Sequence, residues 1–80
     1  MRLKVGKETM EKLEKELLTA QRLNNLKLYR IVKSLLLVSE GEPVEKIAKI
    51  FNISVRTVFG WLTRFMWERF AWLGWMHYKG

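Results

Sequence analysis

The 80-residue chain has no cysteine, a single proline and a single histidine, and its eight acidic residues are all glutamates. Without cysteine there is neither a disulfide framework nor a thiolate metal site, so packing alone must hold the fold, and a reducing compartment is permitted. The lone histidine, His77, has no cysteine or aspartate for company, which argues against a metal role and makes it an ordinary surface residue in expectation. Ser34, Ser39 and Ser54 have no triad geometry available with one distant histidine. Glu8, Glu11, Glu14 and Glu16 are interleaved with lysines as on a solvated helix face, so a carboxylate active site is not expected. No Gly-rich phosphate loop is present. No catalytic residue, metal ligand, cofactor or small-molecule substrate is therefore expected, and the chain is read as not an enzyme.

Long apolar runs are missing too. The start, MRLKVGKETMEKLEKE, lacks a stretch of signal-peptide length, and no run of about 18 apolar residues could span a membrane. A cytoplasmic location is the default expectation. Period-two alternation and Asn-Gly or Asp-Gly hairpin signals are also lacking, which removes a β fold from consideration.

What is present is 49% hydrophobic and 29% charged residues, the balance of a globular chain, at a length that supports one domain. The formal net charge is +7, which favours a polyanionic partner such as nucleic acid or an anionic membrane surface. From Thr9 to about Gln21, Met10, Leu13, Leu17 and Leu18 recur at three- and four-residue steps and predict a first helix with one inward stripe. Asn24 and Asn25 interrupt it and suit an N-cap. A second helix follows to about Glu40, with Leu28, Ile31, Val32, Leu35, Leu36 and Val38 inward and Lys27, Arg30 and Lys33 outward. Gly41 offers its left-handed cap. Pro43 is expected in the first turn of a short third helix whose inward face is Val44, Ile47, Ala48 and Phe51. The expected fold is all-α, a small bundle of four to five helices.

The stretch IAKIFNISVRTVFGWL then demands a tight bend. Ala48 is small enough for two backbones to approach, Asn52 tolerates a left-handed turn, Ile53 plugs the corner and Ser54 can accept from the backbone N–H near Thr57. After it, Val58, Trp61, Leu62 and Phe65 form a buried stripe, and Val55, Arg56, Phe59, Gly60, Thr63 and Arg64 lie opposite. This is the helix-turn-helix pattern, whose second helix enters the major groove with its N-terminal residues on base edges. Arg56, Phe59 and Thr63 are placed toward base edges and Val55 toward a thymine methyl. Lys46, Lys49, Arg64 and the N-terminus of the helix are placed on phosphates, with Arg69 flanking them. An ordinary helical corner in a small bundle is the plainer alternative.

The run LYRIVKSLLLVSEGEPVEKIAKIFNISVRTVFGWLTRF resembles the N-terminal helix-turn-helix domain of bacterial and archaeal insertion-sequence transposases of the mariner-like superfamily. Related domains occur in paired-type DNA-binding proteins and stand-alone regulators. The resemblance rests on the apolar helix ending in SEG, on EKIAKIFNIS and on RTVFGWLTRF. It implies that Ser54, Arg56, Thr57, Phe59 and Gly60 match groove-facing or phosphate-facing positions, and that Val58, Trp61 and Phe65 match the core. Gly60 departs from it, standing where such domains usually carry a larger, often basic residue. Val55 stands where a polar residue is common, and Arg69 where a helix-ending glycine is the tendency. In the transposases, acidic residues holding two metal ions perform strand transfer, and any such catalysis is expected to lie outside these residues.

The last stretch, FMWERFAWLGWMHYKG, is broken by Gly74 and Gly80 and is expected to be the tail of the fourth helix followed by an extended or turning segment. Trp61, Phe65, Trp67, Phe70, Trp72, Trp75 and Tyr78 invite a base-stacking reading. Core packing and self-association are the alternative, because a small domain cannot bury so many rings and unburied ones mark a partner surface. The whole is read as one domain over 1–80, with the helix-turn-helix at 43–67 and an aromatic tail at 68–80. The expected partner is double-stranded DNA, with homodimerisation through the tail. The competing class is a protein-interaction module built on that tail, and a membrane-surface element is a weaker one because the tail lacks a clean amphipathic stripe.

Overall fold

A computed structural model describes residues 5–77. Within them the chain forms α1 (Lys7–Arg22), α2 (Leu26–Ser39), α3 (Val44–Phe51) and α4 (Val55–Met76), with no strand among the described residues. The all-α bundle expected from the periodicity is what the chain adopts. Tyr78 and Gly80, which belonged to the expected aromatic tail, lie outside the described residues.

The most apolar segment became the centre. α2 packs against each of the other three helices, and Leu28, Ile31, Val32, Leu35, Leu36 and Val38 are all buried. Leu13 and Ala20 from α1, Val44, Ile47 and Ala48 from α3, and Val58, Leu62 and Phe65 from α4 complete the core around it. Leu18 does not belong there. It is 65% exposed, and the inward position near the end of α1 is taken by Ala20.

Three helix ends close in the same way, with a left-handed residue turning the chain back so that the orphan carbonyls of the last turn are satisfied. After α1, Asn24 (φ 55) donates its N–H to the Gln21 carbonyl at 3.1 Å, and Asn25 donates to Ala20 at 2.8 Å. After α2, Gly41 (φ 96) donates to Val38 and Glu42 to Leu37, both at 3.0 Å. After α3, Asn52 (φ 55, ψ 49) lets the Ile53 N–H reach the Ala48 carbonyl at 2.9 Å. Pro43 stands one position earlier than expected, at the N-cap of α3, and its carbonyl receives the N–H groups of Lys46 and Ile47.

The end of the chain corrects its sequence reading. The segment expected to be extended is helical through Met76, and Gly74 does not interrupt it. The interruption falls at Arg69, whose backbone (φ 54, ψ −137) is non-helical and breaks α4 into two parts. The second part is helical because it has an inward stripe of its own: Trp72, Leu73 and Met76 are all buried. It is also tied to the turn between α1 and α2, where buried Asn25 donates its side-chain N–H to the Met76 carbonyl at 2.9 Å. His77 is likewise no ordinary surface residue: it is half-buried, with Nε2 2.6 Å from Glu16 Oε1.

Candidate nucleic-acid interface

The corner between α3 and α4 is built from residues whose local preferences agree. Asn52 is a residue type that enters the left-handed region at little cost. Ser54 leaves it in extended conformation, and its Oγ accepts from the Thr57 N–H at 3.1 Å while lying 2.8 Å from Thr57 Oγ1. That hydroxyl pair starts α4 at a fixed angle to α3. Ile53 is half-buried and packs on the core beneath the bend.

Along α4 the residues sort by the three- and four-residue steps of a helix. Val58, Leu62 and Phe65 are buried, whereas Arg56, Thr57, Gly60, Thr63 and Arg64 are exposed and share the other face. Val55 and Phe59 lie between: both are half-buried and pack against the core, so each offers an edge rather than a free side chain. Trp61, expected inside, is half-buried, at the border of the stripe. Continuing the exposed face by three- and four-residue steps leads from Thr63 to Trp67, which is 83% exposed. Sequence reasoning had placed Trp67 in the aromatic cluster and missed that it extends this face.

The charges around the corner fall into two groups. Lys46 is held at 2.8 Å by Glu42, which precedes α3, and Arg64 by Glu68 one turn along α4. These pairs are exposed and worth no more than about 1 kcal/mol, so a phosphate can compete for either cation. Arg56 and Lys49 are exposed and take part in no ion pair among the described residues. The first turn of α4 contains no acid, unlike those of α1 and α3 with Glu8 and Glu45. Arg56 therefore sits at the positive end of a helix dipole, where a cation is disfavoured by roughly 0.3–1 kcal/mol unless an anion lies nearby.

Arg64 also lies over the Trp72 ring at 5.8 Å, and Arg69 over Phe65 at 5.6 Å, so the break in α4 is wrapped by cation–π contacts. No group of three or more acids and histidines that could hold a metal ion is found among the described residues. No helix of the described residues is long and apolar enough to cross a membrane.

A family model described as a homeodomain-like domain matches residues 25–70. The match opens on Asn25, the cap of α2, takes in the whole of α3 and the corner, and ends one residue past the break at Arg69. It covers more than half of the chain, and leaves α1 and the segment after the break outside it. No curated protein and no solved structure matches the chain.

Proposed function

The chain belongs to the homeodomain-like domain family, a helix-turn-helix family whose members suggest DNA binding, and from that premise we propose that it binds double-stranded DNA sequence-specifically with α4 in the major groove. The observation that carries the proposal is the exposed face of α4, with Arg56, Thr57, Gly60, Thr63 and Arg64 on the side opposite the buried Val58, Leu62 and Phe65. Ser54, Thr57, Lys46, Lys49, Arg64 and the unpaired N–H groups at the start of α4 set the register on phosphates. Arg56 and Thr63 read base edges, joined by the exposed edges of Phe59 and Val55. The domain performs no chemistry itself. It serves as the DNA-recognising part of a transposase-like protein or as a small regulator.

Duplex titrations at low and moderate salt test this reading. Neutralising phosphates with Lys46, Lys49 and Arg64 gives a plot of log affinity against log salt with a slope of about −3. Lys49→Ala lowers that slope by about one and weakens all sequences alike, whereas Arg56→Ala weakens a cognate site by about 1–3 kcal/mol and relaxes its specificity. Binding that ignores both salt and Arg56 turns the assignment to the interaction module. The observation favouring that second reading is the adjacent exposure of Met66 and Trp67, and a dimer in sedimentation that Trp67→Ala dissolves is its signature.

A further inference from the structure

Beside the exposed face of α4 lies an open cleft of about 410 Å³. Its lining includes Lys27 of α2, Gly60, Trp61 and Arg64 of α4, and Trp72 and Trp75 beyond the break at Arg69. The volume is in the range of small-ligand sites, roughly 300–1,000 Å³. Three of the four tryptophans of the chain thus bring indole rings to one cleft, together with two cations. Lys27 is exposed and joins no ion pair among the described residues, while the nearby acid, Glu68, is engaged with Arg64. Indole walls and a cationic lip are complementary to a flat aromatic ring that carries an anion. A purely apolar ligand would leave Lys27 desolvated without a partner.

Gly60 supplies a second observation. A Cβ added there would meet nothing within 4 Å, so no packing inside the monomer requires glycine in mid-helix. The missing side chain keeps the rim of the cleft open on the side where α4 faces outward. Gly60 and Arg64 belong both to that rim and to the exposed face of α4.

We infer that this cleft holds one unstacked nucleotide, its base against the indoles of Trp61 and Trp75 above a floor to which the buried Trp72 contributes, and its phosphate on Lys27 and Arg64. The inference rests on the groove reading only in that a strand leaving a duplex under α4 reaches the cleft across Gly60. Two sources supply the same chemistry: a single-stranded overhang of bound DNA, and a free mononucleotide.

Tryptophan fluorescence of the full chain reads occupancy directly, with Trp67→Phe as the background because Trp67 does not line the cleft. The probes are thymidine monophosphate, a blunt duplex and the same duplex carrying a thymidine overhang. The expected result is quenching by the mononucleotide and an overhang duplex bound about tenfold tighter than the blunt one, the scale of one stacked base. Trp75→Ala and Lys27→Glu each abolish the difference while leaving blunt-duplex binding in place. Both alter residues outside the buried core, and Lys27→Glu removes no ring, so a matched thermal melt certifies the fold. Quenching without an overhang preference assigns the cleft to free nucleotide and still supports it. No quenching together with equal affinity for both duplexes overturns the inference, and does so even where salt-dependent blunt-duplex binding upholds the groove reading. Quenching with no duplex binding separates the two the other way.

Discussion

The corner at Asn52–Ser54 and the docked end of α4 after Arg69 lie on the same helix and are held by opposite means. The corner is local: Asn52, Ser54 and Thr57 close their own hydrogen bonds within a few residues of one another. The end segment is held from a distance, by Asn25 across 51 residues and by Glu16 across 61. A site that must present side chains outward gains from a frame fixed locally, because nothing else needs to touch its open face. A segment with few local signals is ordered only if the core receives it. The homeodomain-like match follows this division, covering the corner and stopping at the break.

If the end segment is a full member of the core, Trp72→Ala is the largest single effect. Trp72 is 6% exposed, and its truncation costs about 3–5 kcal/mol by opening a cavity. A denaturant melt should then show one transition shifted bodily to lower denaturant. A loss under about 1 kcal/mol, or a separate early transition in fluorescence, would mean that the segment frays independently and that the two regions are less joined than the packing implies.

Asn25 and Ser54 sharpen the contrast, since both cap a helix with a side-chain oxygen, to the N–H groups of Leu28 and Thr57 respectively, at 3.1 Å each. Ser54 is exposed and its hydroxyl otherwise meets only that of Thr57, so Ser54→Ala costs about 1 kcal/mol. Asn25 is buried and also donates to the Met76 carbonyl, so Asn25→Ala removes a cap and orphans a carbonyl, for about 2 kcal/mol in total. Asn25→Asp keeps the acceptor for Leu28 and deletes the donor for Met76. Equal costs for Ser54→Ala and Asn25→Ala in chemical unfolding would show that the link to Met76 contributes nothing.

The same division explains what the sequence made legible. The caps at Asn25 and Ser54 and the left-handed turns at Gly41 and Asn52 follow from residue types acting over three or four positions. The exposed face of α4 followed as the complement of its apolar stripe. Leu18 and Ala20 show where periodicity fails: both fit an inward stripe within one turn, and only the approach of α2 decides between them. His77 found Glu16 through a contact that no local pattern encodes. The buried Trp72, Leu73 and Met76 had a signal, since Trp72 follows Phe65 by two helical turns and Met76 comes one turn later. It was masked by Gly74 and by exposed rings such as Trp75. The cleft was illegible because its walls come from α2 and from both sides of Arg69.

The smallest effects carry the most pointed comparison, because at two positions of α4 the order of glycine and alanine should invert. Gly60 is in mid-helix with open space where a Cβ would stand, so Gly60→Ala stabilises by up to about 1 kcal/mol, the ordinary helix preference. Arg69 has φ 54 and ψ −137, a combination that glycine alone adopts without strain of roughly 1–3 kcal/mol. Comparing Arg69→Gly with Arg69→Ala cancels the lost stacking on Phe65, which both variants share, and leaves the backbone term. The glycine variant should be the more stable of the two by about 1 kcal/mol in thermal or chemical unfolding, once the greater freedom of glycine in the unfolded chain is set against the relieved strain. Alanine winning at both positions would mean that α4 runs straight through Arg69. Trp72 and Met76 would then need another route into the core, and the cleft between the two parts of α4 would lose its second wall.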